Sequence, residues 1–576
     1  MEEQLLVLNM ALLLLLGGFC SIIFKRFKMP AVIGYLVSGI IIAAVGWVSD
    51  EVNEIVEFLS DIGLALMMFC IGMELNLTKL KKMGSFAILV VMVQVPIILI
   101  GGIVLGGLIL GLDSLQALIF GAIISGSSTA VVTIVLADQN NMTHADVESL
   151  ILVTVVEDVF QVLILSAITP LMHGDNMDVE SLVWMVVLII AFMVASIVIG
   201  IALFPKFLDW LHKKMPAEIL VIIGLGICFG LSYLSILIGM SMAIGAFLAG
   251  VIVSQSTSST AIEEHVTPMK DVFMMMFFIS IGMEISVNGL INNILTIVII
   301  YLIYFALKFS SVIIAYFIGN KSMSLAYNSS IALVAMGEFA FIISKEALNG
   351  GIISNDLYTA VIGAALVSMI VLPVINRQNE KVINFIAVKS PKGIQNVYHN
   401  LDVRRGKLYN HLSTISKSTQ ASFKSNLASV YVDAIAIIVI QVVFVFCSPM
   451  IIDFINVHTP GNISVYIATI VVMLLNFLIL VPFLYFIIRY TKYIMKVMLD
   501  AERRAIAAGE KSGHKSVTRF MRNFVKWNTW VVILALDFAT LFITPNSVDL
   551  WGHVIVLIAG IAVILITMLY TYIRRS

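Results

Sequence analysis

Two acidic residues, Glu157 and Asp158, stand side by side in the middle of an otherwise apolar stretch of the chain. An ionisable side chain deep in a membrane segment is energetically costly, so each one needs a specific reason. Adjacent residues of a helix point about 100° apart, so one carboxylate can face a neighbouring helix while the other faces a cavity. Two adjacent acids also repel each other, which requires a nearby cation or a proton held on one of them.

Lys308 is the natural counter-charge, because it lies alone within the apolar run Tyr304–Ser311. A static ion pair that fixes helix packing is one interpretation of these three residues. However, two acids outnumber one base, and a surplus carboxylate at mid-membrane depth is what a cation or proton site requires. The sequence therefore predicts ion or proton binding at Glu157 and Asp158, with Lys308 as their charge partner.

Small polar residues interrupt two apolar stretches at corresponding places, a Gly-Ser-Ser-Thr run at 126–129 and a glycine 211 positions after the first of them. Interruptions in both halves of a chain indicate unwound helices, whose carbonyls and hydroxyls can ligate an alkali cation. Small-residue helix packing is the alternative for one such run alone. The predicted oxygen ligands are Ser127, Ser128 and Thr129, and the predicted broken-helix residues are Gly126, Gly337 and Glu338, the last as a cap or the partner of a cation.

The composition defines the elements that must hold these residues. Of 576 residues, 60% are hydrophobic and 12% charged, and the mean hydropathy is +1.06. Soluble domains are about 45–50% apolar and about 25% charged, so the chain is predicted to be an all-α polytopic membrane protein. At about 20 residues per span, residues 1–375 accommodate roughly 13 helices and residues 427–576 about four more. The net charge of -1 gives no support for nucleic-acid binding.

An internal repeat is visible in the sequence. Ile33–Gly39 recurs as Ile244–Gly250, 211 positions later, and Asp61–Glu74 resembles Asp271–Glu284, 210 positions later. The two copies are separated by an odd number of spans, so they cross the membrane in opposite directions. Inverted repeats of this kind are typical of secondary transporters that work by alternating access.

Lys and Arg residues concentrate in every second short loop, and Lys345 is the one clear exception. The positive-inside rule then predicts a multi-pass protein of the cell membrane, in contact with the lipid bilayer, with its N-terminus outside and its C-terminus in the cytoplasm. Residues 376–426 are polar and basic, and are predicted to form a cytoplasmic linker between the two membrane domains.

Five motifs occur together in a specific order: the run Phe69–Glu74, the break Gly126–Ala130, the acidic pair, Lys308 and the run Gly337–Phe341. In this combination, residues 1–375 resemble the monovalent cation:proton antiporter-2 family, which includes sodium/proton exchangers and Kef-type potassium efflux systems. The resemblance implies an inverted-repeat fold with a dimerising scaffold part and a mobile core part that contains two crossing broken helices.

In that family the second acid of the pair binds the cation or the proton, a role that falls on Asp158. The first position holds Asp in electrogenic exchangers, Asn in electroneutral ones and Gln in Kef-type proteins. Glu157 departs from all three and, beside Lys308, most resembles the electrogenic arrangement.

The resulting expectation is a transporter, not an enzyme, that exchanges a monovalent cation for protons as a homodimer, with Asp158 as the ion site. Na⁺ or Li⁺ is favoured and K⁺ remains open, because Kef-type proteins carry a nucleotide-binding domain whereas no GxGxxG motif follows residue 376. We therefore expect no NAD-binding domain and no cofactor besides the transported ions. The alternatives are a potassium/proton efflux antiporter, a cation channel, or a non-transporting sensor subunit on the same fold.

Overall fold

In the computed structural model, the chain folds into two compact units, residues 1–388 and 389–576. The described residues are 2–46, 50–75, 85–137, 142–172, 179–319, 321–377, scattered positions between 422 and 455, and 465–507.

The first unit is helical throughout its described part. Its helices are α1 (Glu2–Arg26), α2 (Ala31–Val45), α3 (Asp50–Glu74), α4 (Ser85–Leu110), α5 (Ser114–Ile123), α6 (Thr129–Ala137), α7 (His144–Met172), α8 (Val179–His212), α9 (Ala217–Leu237), α10 (Met242–Val253), α11 (Ser259–Met283), α12 (Val287–Asn292), α13 (Ile294–Ile318), α14 (Met323–Ala332), α15 (Glu338–Asn349) and α16 (Asn355–Arg377).

Ten helices in the described part of the chain are long and apolar enough to cross a membrane. Several shorter ones, including α5, α6, α14 and α15, are 9 to 12 residues long. Two such short helices in sequence can cross together what one helix of about 20 residues crosses alone. The prediction of an all-α polytopic fold is confirmed.

The helices of the first unit form two bundles. One contains α1–α3 and α8–α11, and the other contains α4–α7 and α12–α16. Helix α7, which carries the acidic pair, belongs to the second bundle but also contacts α3 and α10 of the first. The acids therefore lie on a helix at the junction between the two bundles.

Helix packing repeats with the same offset as the sequence. A Cβ atom added to Gly39 would lie 2.8 Å from Cα of Gly282, and one added to Gly72 would lie 2.9 Å from Cα of Gly250. Gly250 is the repeat equivalent of Gly39, and Gly282 that of Gly72. Helix α2 thus crosses α11 as α10 crosses α3, so the sequence repeat is also a repeat of close backbone packing.

Lys345, the exception in the charge distribution, forms an ion pair. Its ammonium on α15 contacts Oε1 of Glu284, which follows α11, and the hydroxyl of Tyr358 on α16 donates to Oε2 at 2.9 Å. The lysine is therefore neutralised by the other bundle, which explains how a basic residue is placed where the loops otherwise lack positive charge.

In the second unit the structure describes helix α17 (Val465–Ala507), which lies within the region 427–576 for which the sequence predicts about four spans. Its apolar side chains Leu480, Leu484 and Ile487 pack with Ile437. Most of the predicted linker 376–426, and most of the region 427–576 on either side of α17, lie outside the described residues.

Candidate ion-binding site

Two non-helical segments cross within the second bundle. The first, residues 124–128, separates α5 from α6, and the second, residues 333–337, separates α14 from α15. They run antiparallel and pair through a backbone bridge between Ser127 and Met336. Both helices are thus broken at the places that the sequence repeat indicated, and the two breaks satisfy part of each other's backbone hydrogen bonding.

Glycine at position 337 allows the two segments to approach. A Cβ atom there would lie 2.5 Å from the carbonyl oxygen of Ser127. The adjoining backbone N–H of Ser128 donates to the carbonyl of Ala335 at 2.8 Å. The crossing is therefore in direct backbone contact, with no room for a side chain at this point.

A side chain from the following helix accepts a backbone N–H of each break. Glu157 Oε2 on α7 accepts from the N–H of Ser127 at 3.1 Å, and the Ser368 hydroxyl on α16 accepts from the N–H of Met336 at 3.0 Å. Ser368 lies 211 positions after Glu157, so these two acceptors are repeat equivalents. One half of the repeat uses a charged acceptor where the other uses a neutral hydroxyl.

The N-termini of α6 and α15 meet at the crossing, which concentrates the positive ends of two helix dipoles there. The carboxylate of Glu157 accepts the N–H of Ser127, just before the first residue of α6. Glu338 is the first residue of α15. Carboxylates at these positions offset the helix dipoles. This geometry is compatible with the capping role expected for Glu338.

Glu157 is fully buried and is held by donors on three elements. Its Oε1 accepts from the ammonium of Lys308 on α13 at 2.9 Å and from the side-chain amide of Gln94 on α4, while Oε2 accepts from Ser127. Lys308 and Gln94 are also fully buried. Both oxygens of Glu157 are thus already engaged within the protein, and its charge is compensated by Lys308.

Asp158 has a different environment. It is 4% exposed, and the hydroxyl of Thr129 donates to its Oδ2 at 3.1 Å, the one side-chain hydrogen bond to this acid among the described residues. No Lys or Arg forms an ion pair with Asp158 among the described residues, whereas Lys308 pairs with Glu157. Asp158 is therefore the acid of the pair whose negative charge is left uncompensated.

The other predicted oxygen ligands make hydrogen bonds within the crossing. The Ser127 hydroxyl donates to the carbonyl of Leu333 at 3.0 Å, and the Ser128 hydroxyl accepts from the N–H of Val131 at 3.4 Å. The hydroxyl of Tyr304 lies 3.2 Å from the carbonyl of Leu333. Of the three predicted hydroxyls, Thr129 is the one placed directly on Asp158.

Sequence reasoning missed several polar residues at the crossing. The side-chain amide of Gln161 donates to the hydroxyl of Ser125 at 2.5 Å, one helical turn after the acidic pair. The carbonyl oxygens of Gln94 and Gln161 are buried and find no hydrogen-bond partner in the described part of the chain. Spacing gave usable signals for some of them: the repeat offset leads to Ser368, and one helical turn separates Tyr304 from Lys308 and Gln161 from Glu157.

Gly337→Ala is expected to disrupt the crossing. The added methyl group would lie within 2.5 Å of a backbone oxygen, which cannot rotate away as a flexible side chain could. Overpacking of this kind costs about 1–3 kcal/mol, and thermal unfolding in detergent together with ion exchange in proteoliposomes would measure it. We expect a lower unfolding temperature and at least about a tenfold loss of exchange, from the factor of ten that 1.4 kcal/mol represents.

Gly226→Ala is the matched control. Gly226 lies within α9, and a Cβ atom there would have nothing within 4 Å. Ala is favoured over Gly in a helix by about 1 kcal/mol, so stability should be unchanged or raised and exchange unaffected. Equal effects of the two substitutions would contradict the role given to the close approach at Gly337.

The sequence of the chain matches the model of a known protein family. Residues 11–377 match the family model described as "Sodium/hydrogen exchanger, transmembrane", which covers both bundles and the crossing. The chain belongs to this family. The resemblance found in the sequence motifs is therefore confirmed at the level of the family and of the fold class.

Several curated relatives match nearly two thirds of the chain. An Na⁺/H⁺ antiporter of Enterococcus hirae is 30% identical over 374 residues, which are 64% of this chain and 96% of the relative. The Na⁺/H⁺-K⁺ antiporter GerN of Bacillus cereus is 28% identical over 372 residues, 63% of this chain and 94% of the relative. The K⁺ efflux antiporter 5 of Arabidopsis thaliana is 27% identical over 381 residues, 64% of this chain and 66% of the relative.

A solved structure shares the fold over about two thirds of the chain. The sodium proton antiporter MjNhaP1 of Methanocaldococcus jannaschii aligns with a TM-score of 0.53 and 16% identity, covering 66% of this chain and 98% of that one. At this identity the likeness concerns the fold alone. None of these alignments spans the whole chain.

Proposed function

We propose that the protein is a secondary transporter that exchanges a monovalent cation for protons, with Asp158 as the shared binding site. The observation that carries the proposal is the asymmetry of the acidic pair. Glu157 is neutralised by Lys308, whereas Asp158 is nearly buried, holds one hydroxyl partner and has no paired cation among the described residues. A carboxylate in that environment binds whichever positive ion is available, a metal cation or a proton.

Competition at Asp158 would couple the two fluxes. A protonated carboxyl group is a poor ligand for an alkali cation, so proton and cation occupy the site alternately. The cation concentration that gives half-maximal exchange should therefore rise as the pH falls, whereas the rate at saturating cation should change less. Exchange then follows if the loaded site opens to one side of the membrane at a time.

The division into two bundles supports such alternation. The acids and both broken helices belong to one bundle, and their helix α7 also contacts the other bundle through α3 and α10. Movement of the site-bearing bundle against the other would change the side from which Asp158 is reached. The repeat supports this motion, since two halves with inverted topology can adopt each other's conformation.

The membership in the sodium/hydrogen exchanger family favours exchange over the channel and sensor alternatives. The named relatives include Na⁺/H⁺ antiporters and a K⁺ efflux antiporter. Hard oxygen ligands such as those of Asp158 and Thr129 suit alkali cations. We keep Na⁺ or Li⁺ as the favoured substrate and K⁺ as the second.

The test is a proton-flux assay with the full chain in proteoliposomes. A pH-sensitive dye in the lumen reports proton movement when Na⁺, Li⁺ or K⁺ is added outside, each at several concentrations and two pH values. A cation-dependent pH change that saturates establishes exchange and identifies the ion. Conductance without coupled proton movement would support a channel instead, and silence with every cation would support the sensor subunit.

We also propose that the chain forms a homodimer in the cell membrane with its N-terminus outside and its C-terminus in the cytoplasm. The distribution of Lys and Arg in the short loops supports the orientation. The family resemblance supports the dimer. Accessibility of single cysteines placed at the loops in intact cells tests the orientation, and the mass of the detergent-solubilised protein tests the dimer.

A further inference from the structure

Lys308 has two acids within its electrostatic reach. It forms its ion pair with Glu157 at 2.9 Å, and Asp158 is the next residue of the same helix. If the ammonium of Lys308 moved to Asp158, it would pair with the carboxylate that the transported cation needs. Something must therefore keep Lys308 on the first acid of the pair.

Gln94 is placed to do so. Its side-chain amide donates to Oε1 of Glu157, the same oxygen that Lys308 contacts, while the N–H of Ser127 holds Oε2. The carboxylate is thus fixed from α4, α13 and the first break together. A glutamate side chain has three rotatable bonds, so these anchors decide where its charge lies.

The other end of Gln94 indicates that its position is constrained. Gln94 is fully buried, and its side-chain carbonyl oxygen has no hydrogen-bond partner within the described ranges. A buried polar atom without a partner is unfavourable and is tolerated in proteins where the rest of the group has a specific task. Here the task is at the amide nitrogen, which must face an ionised carboxylate because that group can only accept.

We propose that Gln94 is a positioning residue that fixes Glu157 as the partner of Lys308 and thereby keeps Asp158 free for the transported cation. The inference rests on the proposed function, in which Asp158 is the exchange site. It assigns to Gln94 an effect on cation affinity through two other residues, without contact between Gln94 and the cation.

The test replaces Gln94 by Met, which has a similar length but cannot donate a hydrogen bond. Without the donor, Lys308 is shared between the two acids and competes with the cation at Asp158. The cation concentration for half-maximal exchange should rise about tenfold or more, as expected for a lost hydrogen bond to a charged group. The maximal rate should change less, because saturating cation displaces the competitor.

Two further variants separate positioning from simple packing. Gln94→His restores an N–H donor at a similar distance and should lower the half-saturating concentration toward the wild-type value. Gln255→Leu is the matched control, since Gln255 donates to the hydroxyl of Ser254 at 2.8 Å, at the end of α10; it should leave the half-saturating concentration unchanged. Thermal unfolding in detergent verifies that each variant is folded, and Gln94→Leu replaces Gln94→Met if the latter is not.

The outcomes are distinct. A lower maximal rate with an unchanged half-saturating concentration in Gln94→Met would show a packing role and overturn the inference. A raised value that Gln94→His does not lower would also overturn it, because the donor would then be irrelevant. Failure of the wild-type protein to exchange any cation would instead refute the proposed function itself.

Discussion

Asp158→Asn is expected to reduce cation-dependent proton exchange to the background of empty liposomes, a loss of at least about a hundredfold. Asn keeps the shape of the side chain and can still accept the hydrogen bond from Thr129. The substitution removes the negative charge of Asp158, which Lys308 does not neutralise. Residue 158 can then hold neither a cation nor a transported proton. A loss of two factors of ten corresponds to about 2.8 kcal/mol, within the range for removing a charged partner from a buried site.

Folding should survive this change, which makes the loss interpretable. Asp158 is nearly buried, directly follows the carboxylate of Glu157 and forms no ion pair among the described residues, so neutralising it leaves no base unpaired. Asp271→Asn is the matched control, because Asp271 on α11 is 59% exposed and pairs with Lys270. Exchange at the wild-type rate by Asp158→Asn would refute Asp158 as the ion site.

Lys308→Met is expected to destabilise the protein by about 3–5 kcal/mol, the cost of breaking a buried ion pair by removing one partner. Lys308 and Glu157 are both fully buried, so no water can take over the charge of Glu157. Thermal or denaturant unfolding in detergent measures the change. The double variant Lys308→Met with Glu157→Gln should recover most of the stability, because it removes both charges and keeps an acceptor for the N–H of Ser127.

Lys345→Met provides the comparison. The ion pair between Lys345 and Glu284 has side chains that are 21% and 30% exposed, so solvent can screen the remaining carboxylate. Partly exposed pairs of this kind contribute about 1 kcal/mol or less. An equal loss of stability in the two lysine variants would contradict the assignment of Lys308–Glu157 as a buried pair.

The double variant also addresses the role of charge in transport. If it still exchanges ions, the voltage dependence of its exchange shows whether the Lys308–Glu157 pair takes part in the charge balance. A change relative to the wild type would support the electrogenic arrangement that the sequence motifs resemble. An unchanged voltage dependence would show that the pair is a structural element and that Asp158 alone determines the stoichiometry.

Much of the fold follows from the sequence because membrane spans are local features. A stretch of about 20 apolar residues must form a helix wherever it crosses lipid, since its backbone groups have no other partners there. The inverted repeat is likewise readable, because two segments with the same pattern 210 or 211 positions apart adopt the same packing. The breaks at 124–128 and 333–337 follow from small polar residues at repeat-equivalent places.

The candidate ion-binding site could be predicted from the sequence only in part. Glu157, Asp158 and Lys308 are conspicuous in the sequence, since charges inside apolar segments are costly and therefore rare. Their roles as ion ligands and charge partner remain predictions that the exchange experiments test. The identity of their neighbours could not be predicted in the same way, because a glutamine, a tyrosine or a serine in an apolar helix is common and carries no charge.

The sequence by itself determined the membrane class, the repeat, the broken helices and the three charged residues, because each depends on local composition or on one fixed offset. Only the tertiary structure decided which acid Lys308 neutralises and that Gln94 donates to the same oxygen, Oε1 of Glu157. These contacts join residues 63 and 151 positions apart on three different helices. Their geometry depends on how the helices cross, and it leaves Glu157 paired with Lys308 while the carboxylate of the next residue, Asp158, is paired with no base among the described residues.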